Sequence, residues 1–390
     1  MHTSWSTASR GVVAGVLALG LITTLGACAA ETGKNPAGKD AEGYPSITLQ
    51  YANPASEKDA QAYAGTVSVW MDEVDKITNR AVTFNRAHGG SLLGLGEMMK
   101  GVGDGLSDLG SAQLSTDPAS FPLWSMAGIH DPAIGTKISA YEQTMITRIL
   151  LGEFEQLEAE LSKANIKYVF SIASSPHHLL TREPISGLSG LEGKTIRTYG
   201  AFMPKLFQSV GAATVNMPSD ELYTAMERSV VDGAYSLPAF FLSSSMGEVS
   251  KQLTLVGAGT TPPLNAGYHL TMNKASWDKL DRKTKTAFLT AARTAEVKYS
   301  KDSVPADEKR AVEAMQKDFG TKVVTMTQSD IDTWSKKFPD VWSELAADLD
   351  GKGLPGKSLV SRYKELAALD TPAIEKLYAK TWDSVMASIK

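Results

Sequence analysis

Residues 193–236 read GKTIRTYGAFMPKLFQSVGAATVNMPSDELYTAMERSVVDGAYS. This stretch passes back and forth between strand and helix. Residues 195–197 read as strand, and 203–210 carry a helix. Gly211 stands where a left-handed residue closes a helix. Residues 213–216 return to strand. Ser219 is a good N-cap, and Asp220 and Glu221 fall in the first turn, where negative charge suits the helix dipole. Residues 232–236 are strand again. Strands alternating with helices imply an α/β fold with largely parallel sheets.

The same rhythm extends outward. Upstream, residues 47–51 alternate as a strand. Residues 59–78 place Ala60, Tyr63, Ala64, Val67, Trp70, Met71, Val74 and Ile77 on one helical face. Strand 82–87, a Gly89-Gly90 turn, a helix around 97–102 and a short buried strand at 106–110 follow. A Pro-rich loop spans 117–132. One long amphipathic helix then carries Ile138, Tyr141, Met145, Ile149, Leu157 and Leu161, and 166–173 is strand. Downstream, strands are expected at 249–255, 266–272 and 322–325. Residues 281–319 read as mostly one helix, and the remainder as helical.

The N-terminal stretch has a different character. Residues 11–27 are almost wholly apolar or small and follow Arg10, too short a run for a comfortable membrane span. They end in Leu25-Gly26-Ala27-Cys28, which resembles the lipobox of bacterial lipoproteins; an ordinary signal peptide with an incidental cysteine is the alternative. We expect residues 1–27 to be a leader, Cys28 to be lipidated, and 28–44 to form a tether. Cys28 is the only cysteine, so an internal disulfide, a cysteine metal site and a cysteine nucleophile are excluded. The formal charge of −4 and the lack of a basic stripe argue against nucleic acid as a partner.

Enzyme motifs fail on inspection. Gly193-Lys194-Thr195 ends like a phosphate loop, but Gly187 is misplaced and a strand follows where a helix must open. No nucleophile elbow and no paired-histidine zinc helix occur. His177 and His178 are adjacent, so in a strand their rings point to opposite faces and cannot share a metal. We expect no cofactor and no metal.

Four stretches taken together resemble one family. They are Gly90-Ser91-Leu92-Leu93-Gly94 with Glu97-Met98-Met99, Val102 and Asp108-Leu109-Gly110; Gly190-Leu191-Glu192-Gly193-Lys194-Thr195-Ile196-Arg197; Glu221-Leu222-Tyr223-Thr224-Ala225-Met226 with Val230-Val231-Asp232-Gly233-Ala234; and Glu248-Val249-Ser250-Lys251-Gln252-Leu253 with Met272-Asn273-Lys274 and Trp277. In this order they are similar to the extracytoplasmic solute receptors of TRAP transporters, the DctP-like family. Each alone is weak; the four in order, behind a lipoprotein leader, are strong.

The resemblance implies a two-lobed α/β fold with a central ligand cleft, crossing hinge strands and a long lobe-spanning helix. We assign 45–174 plus 263–303 to the first lobe and 175–262 plus 304–390 to the second. It implies no catalysis. The function implied is capture of a small organic acid outside the cytoplasmic membrane and delivery to the small and large membrane subunits of the transporter. A receptor for an ATP-driven importer and a lipoprotein enzyme using the same cleft are the rivals.

The resemblance also assigns residues. Arg197 matches the arginine that holds the ligand carboxylate, a task suited to a planar fork of donors. Weaker matches are His177, Ser236, Tyr235, Gln113, Asn53 and Ser219, with Tyr199 as cleft wall; for several the plain alternative is a loop residue or a cap. Trp124, His130 and Phe202 are weak candidates for cleft walls. With His177 where a second arginine occurs in some members, the expected ligand is a monocarboxylate rather than a short aliphatic dicarboxylate. If His177 meets the ligand and its protonation strengthens the contact, affinity is expected to rise as pH falls through the histidine pKa.

Overall fold

The computed structural model describes residues 43–55, 60–217, 219–257 and 261–389. Residues 1–27, expected to be a leader, and Cys28 lie outside the described residues. Eleven strands are described: β1 (Ile47–Ala52), β2 (Val82–Ala87), β3 (Leu109–Gln113), β4 (Ile166–Ser171), β5 (His178–Thr181), β6 (Thr195–Thr198), β7 (Ala213–Asn216), β8 (Gly233–Ser236), β9 (Gln252–Leu255), β10 (Tyr268–Asn273) and β11 (Lys322–Thr325). They form two sheets, ordered β2-β1-β3-β10-β4 and β11-β9-β5-β8-β6-β7.

Each sheet is parallel except for one interior strand. β10 runs antiparallel to both β3 and β4, and β5 runs antiparallel to both β8 and β9. The expectation of largely parallel sheets is corrected to this extent. The physical reason is the crossing of the chain. β5 follows β4 of the other sheet, and β10 follows β9 of the other sheet, so each arrives from the opposite lobe and runs against its new neighbours. Every residue of β5 and β10 is buried, as an interior strand requires.

The first sheet packs into one large core. Trp70 sits at its centre, with ring centroids 5.2 Å from Phe84, 5.7 Å from Phe170 and 5.1 Å from Phe288. Its indole N–H donates to Phe288 O at 2.9 Å, so burial leaves no polar atom unsatisfied. The second sheet carries a core on each face. Leu179, Ile196 and Tyr235 belong to one, Leu180, Ala234 and Leu253 to the other, as strand alternation dictates.

Several boundaries differ from the sequence expectation. The single helix over 138–161 is two, Ala140–Glu153 and Glu155–Lys163. Phe154 leaves the helical region between them (φ −118°, ψ 88°) and packs against the first core. The strand expected at 106–110 begins later, at Leu109. Leu106 is 62 % exposed, and Asp108 instead accepts from Gln50 N at 2.9 Å and Ser276 Oγ at 2.7 Å. Val249 ends the helical turn Met246–Val249 rather than starting a strand. Ser219 lies in a single 3-10 turn, and helix Leu222–Glu227 starts after Glu221 without a side-chain cap.

The region 281–319 is helical throughout but not uniform. Helices Arg282–Lys298 and Val304–Phe319 are joined by a π-helical turn, Tyr299–Ser303. The first packs on helix Ala60–Ile77 and the second on helix Pro238–Ser243, so the turn sits where the chain passes between the lobes. Beyond it the assignment of 304–390 to the second lobe is corrected. Ile331 and Trp334 join the second sheet's core, but Val341, Trp342, Tyr363, Tyr378 and Trp382 pack into the first. Helical periodicity shows that a face is apolar, not which core receives it.

Candidate functional site

Arg197 is the third residue of β6, paired with Val215 on one side and Ala234 on the other. It is 3 % exposed. Its Nε donates to Met217 O at 3.1 Å and its Nη2 to Ser219 Oγ at 3.0 Å. The guanidinium lies over the Tyr199 ring, 5.2 Å from the centroid, a cation–π contact. Strand, turn and ring thus fix the fork in one orientation. Ser219 serves that purpose here instead of capping a helix.

From Tyr199 the cluster continues through rings. The Tyr199 hydroxyl is 2.8 Å from His177 Nε2. The His177 ring lies 4.6 Å from His130 and 5.7 Å from Tyr235, and His130 lies 5.6 Å from Tyr235 and 6.1 Å from Tyr199. Tyr199, His177 and Tyr235 come from the second sheet. His130 comes from the other side. Its neighbour Ile129 is buried in the first core, and Asp131 accepts from Trp342 Nε1 at 2.7 Å and caps helix Pro132–Gly135 through Ala133 N at 2.8 Å. The segment 129–131 therefore projects from the first core onto the rings of the second sheet. Phe202 does the reverse, leaving the second sheet to pack into the first core.

Burial decides the charge of these imidazoles. It lowers the His130 pKa to about 3. It also holds His177 well below its ordinary value, with the neighbouring His130, His178 and Arg197 acting in the same direction. Both rings are neutral at pH 7. The expected rise in affinity through an ordinary histidine pKa is corrected accordingly: His177 does not titrate there in this fold. His177 Nδ1 is buried and has no hydrogen-bond partner among the described residues.

The remaining candidates fall elsewhere. His178 points away from His177, as adjacency in a strand requires. Its Nδ1 accepts from Val256 N at 3.1 Å, which leaves Nε2–H to donate to Glu308 Oε1 at 2.9 Å. Ser236 pairs with His178 in the ladder and shares its face, opposite to Tyr235. Gln113, at the end of β3, donates through Nε2 to Ala266 O at 3.3 Å, beside Ser115 Oγ at 3.0 Å. That carbonyl belongs to the buried left-handed run Leu264-Asn265-Ala266, with φ 50°, 50° and 56°. Asn53, just beyond β1, accepts from Ala55 N at 3.1 Å and meets His88 Nδ1 at 3.2 Å. So the structure joins Arg197, His177, Tyr199, Tyr235 and Ser219, while the side chains of Asn53 and Gln113 hold local turns. His130, only a weak cleft-wall candidate by sequence, is the residue the fold brings among these rings. The signal available was Asp131-Pro132, an N-cap followed by proline at the first helical position, which pins the preceding residue.

Among the described residues no group of three or more potential metal ligands occurs, and no helix is long and apolar enough to cross a membrane. A buried guanidinium beside neutral rings can hold an anion by two charge-assisted bonds. Two α/β lobes meeting at such a cluster define a solute-binding receptor. The chain belongs to bacterial extracellular solute-binding protein family 7, the DctP family, whose profile matches residues 54–348. Receptors of this family bind solutes and are not enzymes.

A solute-binding protein of Albidiferax ferrireducens is 25 % identical over 284 residues, 72 % of this chain and 80 % of its own. The C4-dicarboxylate-binding periplasmic protein DctP of Rhodobacter capsulatus is 27 % identical over 138 residues, 35 % of this chain and 40 % of its own. Among solved structures, a TRAP periplasmic solute-binding protein from Rhodoferax ferrireducens with bound malonate matches with a TM-score of 0.66 at 21 % identity, covering 82 % of this chain and 98 % of its own. A Bordetella pertussis extracytoplasmic solute receptor binding pyroglutamic acid matches with a TM-score of 0.64 at 18 % identity, covering 82 % and 99 %. These likenesses establish the two-lobed fold expected from the sequence.

Proposed function

We propose that this receptor serves a TRAP transporter: it binds a small organic acid by its carboxylate and delivers it to small and large membrane subunits. The observation that carries the reading is Arg197, a buried guanidinium fixed at the end of β6 by Met217, Ser219 and Tyr199, where the two lobes meet. Ligands sit outside the carboxyl ends of strands in folds of this kind. The organic acids bound by the structural relatives support the class. Arg197, His177, Tyr199, Tyr235 and Ser219 form the inner contacts of the proposed site. Removal of the leader 1–27 exposes Cys28, and its lipidation, through the tether 28–44, holds the receptor at the outer face of the cell membrane.

The test is calorimetry on the mature protein, with mass spectrometry of the acid that co-purifies. Binding of an organic acid that is lost in Arg197→Ala supports the reading. Undiminished binding in that variant removes Arg197 from the site. Mass spectrometry of the native N-terminus checks the anchor: an unmodified terminus well beyond Cys28 sinks that part.

A further inference from the structure

We infer that the ligand is a monoanion whose body, beyond its carboxylate, is flat, uncharged and hydrogen-bonded to His177, and that His130 is the first-lobe residue that enforces this choice. The inference rests on Arg197 holding the carboxylate.

Three observations converge on it. First, the Arg197 guanidinium lies over Tyr199, the first of four clustered rings: His130 and His177 each lie within 6.3 Å by centroid of Tyr199, of Tyr235 and of each other. Such walls favour a flat, polarisable body over a flexible chain. Second, neither imidazole carries charge at pH 7. A second ligand carboxylate placed here would be buried without a fixed cation, which is strongly unfavourable. Recruiting a proton onto His130 to answer it works against a pKa of about 3. The charged or titratable groups facing the pair are Arg197, His178 and the two tyrosines, and the first two oppose protonation of His177.

Third, His177 has one ring nitrogen committed to Tyr199 and the other, Nδ1, buried without a partner among the described residues. In a neutral imidazole one nitrogen donates and the other accepts. Whichever way the Tyr199 hydroxyl turns, Nδ1 offers one hydrogen bond to an uncharged N–H, O–H or carbonyl. His130 reaches these rings only from the first core, through the segment pinned by Asp131. The fourth wall is therefore supplied when the lobes meet, so selection acts at closure.

The test is a panel measured by calorimetry at pH 7.5 on the mature protein. It sets ring monocarboxylates (pyroglutamate, orotate, nicotinate, benzoate) against aliphatic dicarboxylates (malonate, succinate, malate). We expect the tightest ring acid to bind at least tenfold better than any dicarboxylate. His130→Lys, or His130→Arg if the lysine variant does not fold, should shift the ratio at least tenfold toward the dicarboxylates. A dicarboxylate as tight as the best ring acid, no binding of any ring acid, or an unchanged ratio in a folded cationic variant overturns the proposal. Arg197→Ala separates the two levels. If it retains the binding of wild type, the carboxylate reading itself fails. If it loses binding while wild type prefers dicarboxylates, only the present inference fails.

Discussion

Lowering the pH from 7 to 5 should destabilise the ligand-free receptor, and His130 gives the size of the effect. Its pKa is about 3 in the fold, because burial disfavours the cation, against about 6.5 in the unfolded chain. Between these values the unfolded chain binds a proton that the fold does not. The stabilisation is fully present above pH 6.5 and is lost as pH falls toward 3. At pH 5 the unfolded imidazole gains about 2 kcal/mol from protonation, from the 1.36 kcal/mol that each pKa unit represents. His177 and His269 are also held well below their ordinary values by burial, so they act with the same sign. Glu160 opposes them. Burial raises its pKa to about 7, so the fold keeps a proton that the unfolded carboxyl releases, and this term stabilises as pH falls from 7 to 4.5. A difference measurement removes these companions. Urea unfolding of wild type and His130→Phe at pH 7 and pH 5, at fixed ionic strength and without ligand, should show the variant losing about 2 kcal/mol less over the interval. Equal losses would refute the assignment of a buried neutral imidazole at this position.

Further outcomes follow from other sites. Arg197→Ala should weaken acid binding by about 2–5 kcal/mol in calorimetry, and Arg197→Lys should also lose much affinity because a point charge cannot replace the fork. The buried pair Arg148 and Glu296, 2.8 Å apart, also receives Ser171 N and the Tyr378 hydroxyl. Arg148→Met should destabilise by about 3–5 kcal/mol in urea melts, since it leaves Glu296 buried without its cation. Gly267 has φ +80°, and a Cβ there would lie 2.9 Å from Ser115 N. Gly267→Ala should lower stability by about 1–3 kcal/mol, read as a drop in melting temperature.

The sequence carried the order of elements well where period and punctuation agreed. In 193–236, Gly211 does adopt the left-handed conformation its position requires, with φ +82°. What it did not carry was the identity of partners. The direction of β5 and β10 depends on where the chain comes from, and nothing in their own residues encodes it. Phe154 breaks a helix whose periodicity continues through it, because packing against the first core outweighs local preference. Trp342 and Trp382 look like core residues in any reading, but which core is a tertiary fact. The site shows the same division. Arg197 stood out through resemblance rather than through its own surroundings. His130 is distant in sequence from Tyr199 and Tyr235 and meets them only through the fold. Asn53 and Gln113 have the polarity of cleft residues, yet their amides are engaged by His88 and by the Ala266 carbonyl.

The interior antiparallel strands also govern how the chain acquires structure as it is synthesised. β4 pairs only with β10, so it waits without a neighbour until Tyr268–Asn273 has left the ribosome. β5 likewise waits for β8 and β9. The first core then stays unsealed until helix Thr371–Ala387 delivers Trp382. Folding from the N-terminus domain by domain, the usual course for larger chains, is closed to this topology. A chain of this connectivity gains its stable state only once nearly all of its length is available, so the order of synthesis gives no early, self-sufficient half.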